Sequence, residues 1–243
     1  MTINSHNSNN SNLFSILSYY IIIVRFAFVL NVPQLPSVER VTKKNKRLYH
    51  TGERSYPSVT AVLGSTADKS GIIRWKEKVG EPVADYIIRA AAKIGSDTHE
   101  LVESYLSSKF IAKRYSLISV AHFKNLQNNY LDHISNIYGL ETQMYSDSMG
   151  IGGTADCIAE FDGELSIIDF KTKRSPQRES YVHDYFLQCA AYGIMWKEHT
   201  GMNIQNGVIL CSVENGEAQI FRCKLQDHEK ELKERIERFK NEQ

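Results

Sequence analysis

The 243-residue sequence predicts one α/β domain in which helical elements come first and a central mixed sheet, flanked by helices, follows. Between about residues 72 and 137, apolar residues recur with the 3.6-residue period of helices, and from residue 141 they alternate with period two. A later helical segment separates the first three predicted strands from two more. Neither a repeat nor a linker follows residue 50, so residues 35–243 are predicted to form a single domain.

The helical half begins with a basic stretch at residues 41–47 and a short predicted strand at 48–51 that ends in a glycine turn. Ser58 or Thr60 can cap the short helix that follows, because their hydroxyl groups accept hydrogen bonds from the first turn. Further helices are predicted at 72–79, 82–110 and 117–137.

The second half carries two turn signals, Asp162-Gly163 and Asn215-Gly216, which typically join antiparallel strands. The mixed charges near the end of the chain indicate a helix with a solvent-exposed face. Strands are predicted at 141–147, 152–161, 164–172, 206–213 and 218–224, and helices at 180–199 and 227–241.

Residues 1–34 differ in composition from the rest and are predicted to be a separate extension. Residues 2–12 are rich in Asn and Ser, which indicates disorder. Residues 13–32 form an apolar run long enough to cross a bilayer, although Arg25 near its middle would cost about 2.5–3.5 kcal/mol there.

Three interpretations of this run remain open: a membrane anchor, a cleaved secretory signal, and translated spacer DNA ahead of a start codon near residues 29–32. The composition favours the third, because AT-rich DNA encodes this mixture of Asn, Ile, Tyr, Phe and Ser. No stable membrane association is therefore expected, and a chain beginning near Asn31 is expected to be soluble and fully active.

Charge and cysteine content narrow the class of protein. Lys and Arg number 29 against 28 Asp and Glu, a net charge of +1, so any attraction for nucleic acid must be local. The four cysteines contain no Cys-x-x-Cys pair, which argues against a zinc ribbon or an iron–sulfur cluster. Scattered cysteines suit reduced thiols, so a cytoplasmic protein is expected.

The segment from Gly152 to Lys173 carries the chemistry. A two-residue turn at Asp162-Gly163 places Asp156 opposite Asp169, and strand alternation puts both on one face with Lys171. Opposed carboxylates repel each other, and a divalent cation such as Mg²⁺ would remove that repulsion. A solvated cluster on a hairpin face is the alternative interpretation.

Other polar residues extend this pattern. Glu141, at the start of the preceding strand, can supply a third carboxylate. Gln188 and Tyr192 are four residues apart on one helix and share a face, as do Gly95 and His99 on another. A local basic run after the acidic pair would attract phosphate groups; it consists of Lys173, Arg174 and Arg178.

The order of these motifs resembles that of RecB-like nucleases of the PD-(D/E)XK superfamily. The motifs are Gly95-x-x-x-His99, Glu141, Asp156, Asp169-Phe170-Lys171 and Gln188-x-x-x-Tyr192. The segments YPSVTAVLGST, TADCIAEFDGELSIIDFKTKRSP and YFLQCAAYGIMW look most like the branch of mitochondrial genome maintenance exonucleases with their phage and bacterial relatives. The resemblance covers about residues 35–225.

The resemblance implies a restriction-endonuclease-like core and a metal site for phosphodiester hydrolysis. Mg²⁺ is the implied cofactor, Mn²⁺ can substitute, and no iron–sulfur cluster is expected. The implied catalytic residues are Asp156, Asp169 and Lys171; the implied metal ligands are Asp156, Asp169, Glu141, His99 and the Phe170 carbonyl; the implied DNA contacts are Gln188 and Tyr192.

These features predict a Mg²⁺-dependent DNA exonuclease that prefers single strands and acts in DNA replication, recombination or repair. It is expected to be a monomer that binds DNA with free ends in the cytoplasm, or in a host cell's cytoplasm if the chain is viral. Two alternatives remain: a catalytically inactive module that binds DNA ends, and a restriction-type endonuclease on the same core.

Overall fold

The structure is a computed structural model and describes residues 26–43, 46–109 and 112–242. The strands are β1 (Glu39–Lys43), β2 (Lys46–His50), β3 (Ser55–Pro57), β4 (Ile134–Ser146), β5 (Ile151–Phe161), β6 (Glu164–Lys173), β7 (Asn206–Val213) and β8 (Gln219–Lys224). The α-helices are α1 (Val59–Thr66), α2 (Ser70–Val79), α3 (Glu81–Leu106), α4 (Leu117–Asn129), α5 (Glu179–Thr200) and α6 (Glu229–Asn241).

The central sheet has five strands in the order β4-β5-β6-β7-β8. Only the β6–β7 pair within it is parallel. A parallel pair needs a long crossover connection, and α5 provides it between β6 and β7. This arrangement confirms the predicted mixed sheet flanked by helices.

Period-two alternation divides the core into two clusters, one on each face of the sheet. Ile158 of β5 packs in the cluster formed with α1, α5 and α6, whose largest fully buried side chain is Trp196. The next residue, Ala159, belongs to the other cluster, which includes Leu106 of α3 and Leu126 of α4. The central sheet therefore lies between two packed apolar layers.

A second, antiparallel sheet in the order β1-β2-β3 contacts β5. The Tyr49 hydroxyl of β2 lies 2.9 Å from the Thr154 hydroxyl of β5 in a hydrogen bond. Ser58 forms a parallel bridge with Gly152 and caps α1 by accepting a 3.1 Å hydrogen bond from the Ala61 amide. The sequence therefore predicted the start of α1 correctly, whereas this small sheet was predicted only as the strand at 48–51.

The predicted helix at 117–137 is wrong at its end. It stops at Asn129, and β4 begins at Ile134 after a short 3-10 turn. Ile134 and Ile137 are both buried, and their spacing of three is typical of a helix. Irregularities in the β4–β5 register between Ser135 and Gly139 insert extra residues, so this spacing occurs here within a strand.

The predicted solvent-exposed face of the last helix is wrong at Arg235, which is only 7% exposed. Its guanidinium donates 2.6 Å hydrogen bonds to the Thr66 hydroxyl and the Leu63 carbonyl of α1, and it forms a 3.1 Å ion pair with Asp184 of α5. The buried arginine therefore joins α6 to two other helices.

Residues 1–25 lie outside the described residues, as does most of the apolar run at 13–32. The end of that run contacts the central sheet: Phe26 is 3% exposed, and Ile137 donates a 2.7 Å hydrogen bond to the Ala27 carbonyl. Among the described residues, no helix combines the length and the apolar character needed to span a bilayer. The division of the chain at residue 34 stays a prediction.

Candidate active site

The β5–β6 hairpin has the predicted turn. Asp162 and Gly163 have φ angles of 51° and 81°, as a type I′ turn requires, and Phe161 pairs with Glu164. The predicted register holds for five pairs up to Cys157–Ile168, one position short of the two aspartates. At that position the Phe170 amide donates a 3.0 Å hydrogen bond to Asp156 Oδ2.

Asp156, Glu141 and His99 form a cluster contributed by β5, β4 and α3. One ligand atom from each lies within 4.8 Å of the others, so the cluster can hold a metal ion. Leu140 and Thr142 pair with Cys157 and Ala155, so Glu141 sits at the register position of Asp156.

The His99 ring is fixed between two partners. Its Nε2 donates a 2.7 Å hydrogen bond to the Phe170 carbonyl, and its Nδ1 lies 3.5 Å from Asp156 Oδ1. Metal-binding histidines typically donate their second ring N–H in this way, which sets the orientation of the ligating nitrogen. The Phe170 carbonyl, which the resemblance implied as a metal ligand, therefore accepts a hydrogen bond from His99 in this structure.

Asp169 is buried close to the same cluster and is 1% exposed. Its Oδ2 forms an ion pair with Lys171 Nζ, and its Oδ1 accepts a 3.0 Å hydrogen bond from Gln188 Nε2. The same amide nitrogen lies 3.1 Å from the Tyr192 hydroxyl. The structure thus brings Asp169, Lys171, Gln188 and Tyr192 together, and the two helical residues, though largely buried, line the cavity.

The electrostatics of the cluster reflect crowded carboxylates. Burial and the charge of Asp156 raise the pKa of Glu141 to about 7. Burial raises the pKa of Asp169 as well. Burial also opposes ionisation of Asp156, but His99, Lys171 and the Phe170 amide together lower the pKa of Asp156. Burial lowers and Asp156 raises the pKa of His99, with a net increase to about 9.

Lys171 is held as a cation by these carboxylates. Burial opposes its charge, but Asp169 and Asp156 raise its pKa above the ordinary lysine value. Its ammonium also lies 4.7 Å from the centre of the Tyr185 ring, at cation–π distance. The site therefore presents two positive charges, the Lys171 ammonium and the His99 imidazolium, beside three carboxyl groups.

A cavity of about 490 Å³ opens over this cluster. Four of the residues that line it were not predicted from the sequence: Arg40, Arg47, Tyr49 and Tyr185. Tyr185 was detectable, because it precedes Gln188 by three residues and so shares its helical face. Arg47 is the last residue of the basic stretch at 41–47, and Arg40 directly precedes that stretch. Nothing in the sequence there indicates that these strands reach the site.

The predicted basic run lies beside the cavity and does not line it. Lys173 Nζ donates a 2.5 Å hydrogen bond to the Tyr185 hydroxyl, and Arg174 lies 3.8 Å from Glu214 on the surface. Arg178 is the exposed residue at the start of α5. Of the three, only Lys173 contacts a residue of the cavity wall through these bonds.

An acidic residue on one strand and an Asp-x-Lys sequence on the next, meeting at one cavity of a mixed sheet, define a nuclease of the PD-(D/E)XK type. Residues 76–243 match the family model for the PD-(D/E)XK nuclease superfamily. The chain belongs to this superfamily.

The curated relatives are more specific. The chain is 28% identical to human mitochondrial genome maintenance exonuclease 1 over 66% of this chain and 50% of that protein. It is 30% identical to the mouse protein of the same name, over 67% and 51% of the two chains. The chain thus spans about half the length of these relatives.

Among solved structures, the chain is similar to the crystal structure of a candidate exonuclease from Eubacterium rectale. The TM-score is 0.43 at 17% identity, and the match covers 62% of this chain and 67% of that chain.

Proposed function

We propose that the chain is a metal-dependent DNA exonuclease that hydrolyses phosphodiester bonds and prefers single strands. The observation that carries this proposal is the meeting of Asp156, Glu141, His99 and Lys171 at one open cavity, with Asp169 buried beside Lys171. Membership of the nuclease superfamily and the similarity to proteins named exonucleases support the same conclusion.

The residues present fit a divalent cation. Burial and then the neighbouring charge of Asp156 raise the pKa of Glu141, so a cation between the two acid groups would relieve their repulsion. Asp169 Oδ2 is buried beside the Lys171 ammonium and accepts no other hydrogen bond among the described residues. His99, Glu141 and Asp156 would hold the ion, with Asp169 as a further ligand, and hard oxygen ligands favour Mg²⁺ or Mn²⁺.

The bound cation would supply Lewis-acid polarisation of the phosphate and activation of water. Lys171 contributes a fixed positive charge at the place where negative charge develops on the phosphate oxygens. Gln188 holds the Asp169 carboxylate through Oδ1, and the bond from His99 to the Phe170 carbonyl keeps the imidazole aimed at Asp156. These contacts fix the site before the substrate arrives.

The preference for a single strand is supported by the walls of the cavity. The small sheet, α3 and α5 all contribute to its lining, so the carboxylates lie at the bottom of a recess. Tyr185 on one wall is partly buried and offers a ring on which a base can stack. A splayed single strand can enter such a recess more readily than an intact duplex.

We also propose a context for this activity. The chain would act as a monomer on DNA with free ends, in the cytoplasm or in the cytoplasm of a host cell. The words genome maintenance in the names of the relatives support a role in DNA replication, recombination or repair.

The test is a cleavage assay on single- and double-stranded DNA with either end labelled or blocked, in Mg²⁺, Mn²⁺ or EDTA. We expect metal-dependent release of short products from single strands, and a loss of at least 100-fold in Asp169→Asn and Lys171→Gln. Asp162→Asn is the matched control, because this exposed aspartate lies in the hairpin turn. Full activity in purified Asp169→Asn would contradict the proposed site.

Other outcomes identify the alternatives. Binding of DNA ends without cleavage in any metal would indicate an inactive module, and discrete double-stranded fragments would indicate a restriction-type endonuclease. A readout that does not depend on activity is thermal unfolding: Mg²⁺ should raise the melting temperature of the wild type and raise it less in Asp156→Asn, because a ligand stabilises the state that binds it.

A further inference from the structure

The small N-terminal sheet turns one defined face toward the cavity. Arg40 pairs with Tyr49 and Thr42 pairs with Arg47 in the β1–β2 ladder, so these four side chains share a face. Tyr49 marks the direction of that face, because it is 1% exposed and its hydroxyl bonds to Thr154 beside the site. Both arginines line the cavity on the same side.

This face is fixed in position relative to the metal cluster. The Arg40 amide donates a 3.0 Å hydrogen bond to Gln143 Oε1, two residues from Glu141 on β4. Tyr49 packs against Gly152 of β5, where an added Cβ would lie 2.6 Å from the tyrosine Cβ. The backbones that carry the two arginines are therefore attached to both strands that supply carboxylates to the cluster.

The two guanidinium groups are available for a ligand. Arg40 and Arg47 are exposed, and within the part of the chain that the structure describes no carboxylate is recorded within 4.0 Å of either. The remaining cavity is rich in acidic groups, since Glu100 and Glu103 of α3 line it beside the cluster. A strand of phosphates would be repelled by these carboxylates unless cations on the cavity wall compensate.

We propose that Arg40 and Arg47 are positioning residues that bind the phosphates flanking the scissile one, forming a phosphate-binding wall. This inference rests on the proposed function, because that function makes a DNA strand, with its row of backbone phosphates, the substrate. The planar guanidinium suits phosphate oxygens because it donates two parallel hydrogen bonds. The wall, and not the run at Lys173, Arg174 and Arg178, then supplies the local positive charge that a net charge of +1 does not.

The experiment measures binding of a fluorescein-labelled, 20-nucleotide oligothymidylate to the full chain by fluorescence anisotropy, in EDTA and at several KCl concentrations. We expect Arg40→Gln/Arg47→Gln to weaken binding at least tenfold. Its slope of log affinity against log salt should be shallower by about 1.4, because each phosphate contact to a single strand contributes about 0.7. Arg40→Lys/Arg47→Lys should retain most of the salt slope.

Lys43→Gln is the matched control, because Lys43 is an exposed cation of the same sheet on the opposite face. Equal loss of binding in Lys43→Gln, or an unchanged slope in the double variant, would overturn the wall. The melting temperature of each variant confirms folding, and the two single substitutions repeat the measurement should the double variant be unstable.

The two proposals fail in different ways. Suppose that the wild type cleaves nothing in Mg²⁺, but that its salt slope is steeper than that of the double variant by the expected amount. That result supports the wall and contradicts the nuclease function. A wild type that cleaves, with a double variant that binds and cleaves equally well, contradicts the wall and leaves the nuclease function standing. In cleavage assays, the double variant should raise KM more than it lowers kcat.

Discussion

At the scale of single residues, Gly153 determines the position of the helical residues beneath the site. A Cβ at this position would overlap Cε1 of Tyr192, the residue whose hydroxyl bonds to Gln188. Gln188 in turn holds Asp169. Because Gly153 has no side chain, α5 can approach β5 closely enough for the side-chain amide of Gln188 to reach Asp169.

We predict that Gly153→Ala destabilises the fold by about 1–3 kcal/mol, because inserting a methyl group into a packed contact forces its neighbours to move. Cleavage should fall as well, since Tyr192 and Gln188 must shift. Urea unfolding and the cleavage assay measure the two effects. Gly64→Ala is the control, because Gly64 is helical with no atom within 4 Å of its added Cβ, and this substitution should leave stability unchanged or higher.

At the scale of elements, the C-terminal helix is joined to α1 and α5, two helices that contribute residues to the cavity. Arg235 of α6 donates to Leu63 and Thr66 at the end of α1 and pairs with Asp184 of α5. The start of α1 is in turn joined to β5 through the Ser58–Gly152 bridge. Three helices and a strand are thus coupled through a few polar contacts around the apolar cluster.

We predict that Arg235→Met lowers the free energy of unfolding by about 1–3 kcal/mol, because it leaves a buried carbonyl and a buried hydroxyl without their donor. The urea midpoint measures this loss. Lys233→Met on the same helix is the control, since Lys233 is exposed and its ion pair with Glu229 lies on the surface. A midpoint for Arg235→Met equal to that of the control would show that the buried contacts contribute little.

At the scale of the whole molecule, the end of the apolar run is part of the packed structure. Phe26 belongs to the core cluster beneath α3 and α4, and its ring meets Tyr105 edge to face at 5.3 Å. The backbone of residues 27–29 exchanges two hydrogen bonds with Ile137. Part of the segment expected to be dispensable therefore extends the central sheet beside β4.

We predict that a chain beginning at Asn31 is about 1.5–3 kcal/mol less stable than one beginning at Phe26, because it loses a buried phenylalanine. Below its unfolding temperature it should still cleave DNA. Phe26→Ala in the full chain should reproduce most of the loss, while Phe28→Ala should have a small effect because Phe28 is 44% exposed. Equal unfolding midpoints for the two shortened chains would support the division at residue 34.

The sequence by itself determined the elements that local rules control. The Asp162-Gly163 turn needs only two residues with positive φ, so it set the hairpin register as far as Cys157 and Ile168, the neighbours of Asp156 and Asp169. Helical spacing predicted that Gln188 and Tyr192 share a face, and Ser58, one of the two expected capping residues, caps α1. Each of these depends on residues close together in the chain.

Only the tertiary structure decided which distant elements reach the same cavity. The register irregularities in β4 give its first residues the apolar spacing of a helix, so the start of this strand was not predicted. The burial of Arg235 depends on oxygen atoms of α1 more than 150 residues away in the chain. The small sheet that carries the arginines reaches the site through hydrogen bonds to β4 and β5 that span 103 and 105 residues of the chain. Such contacts depend on how whole elements pack, and neither periodicity nor turn chemistry records that.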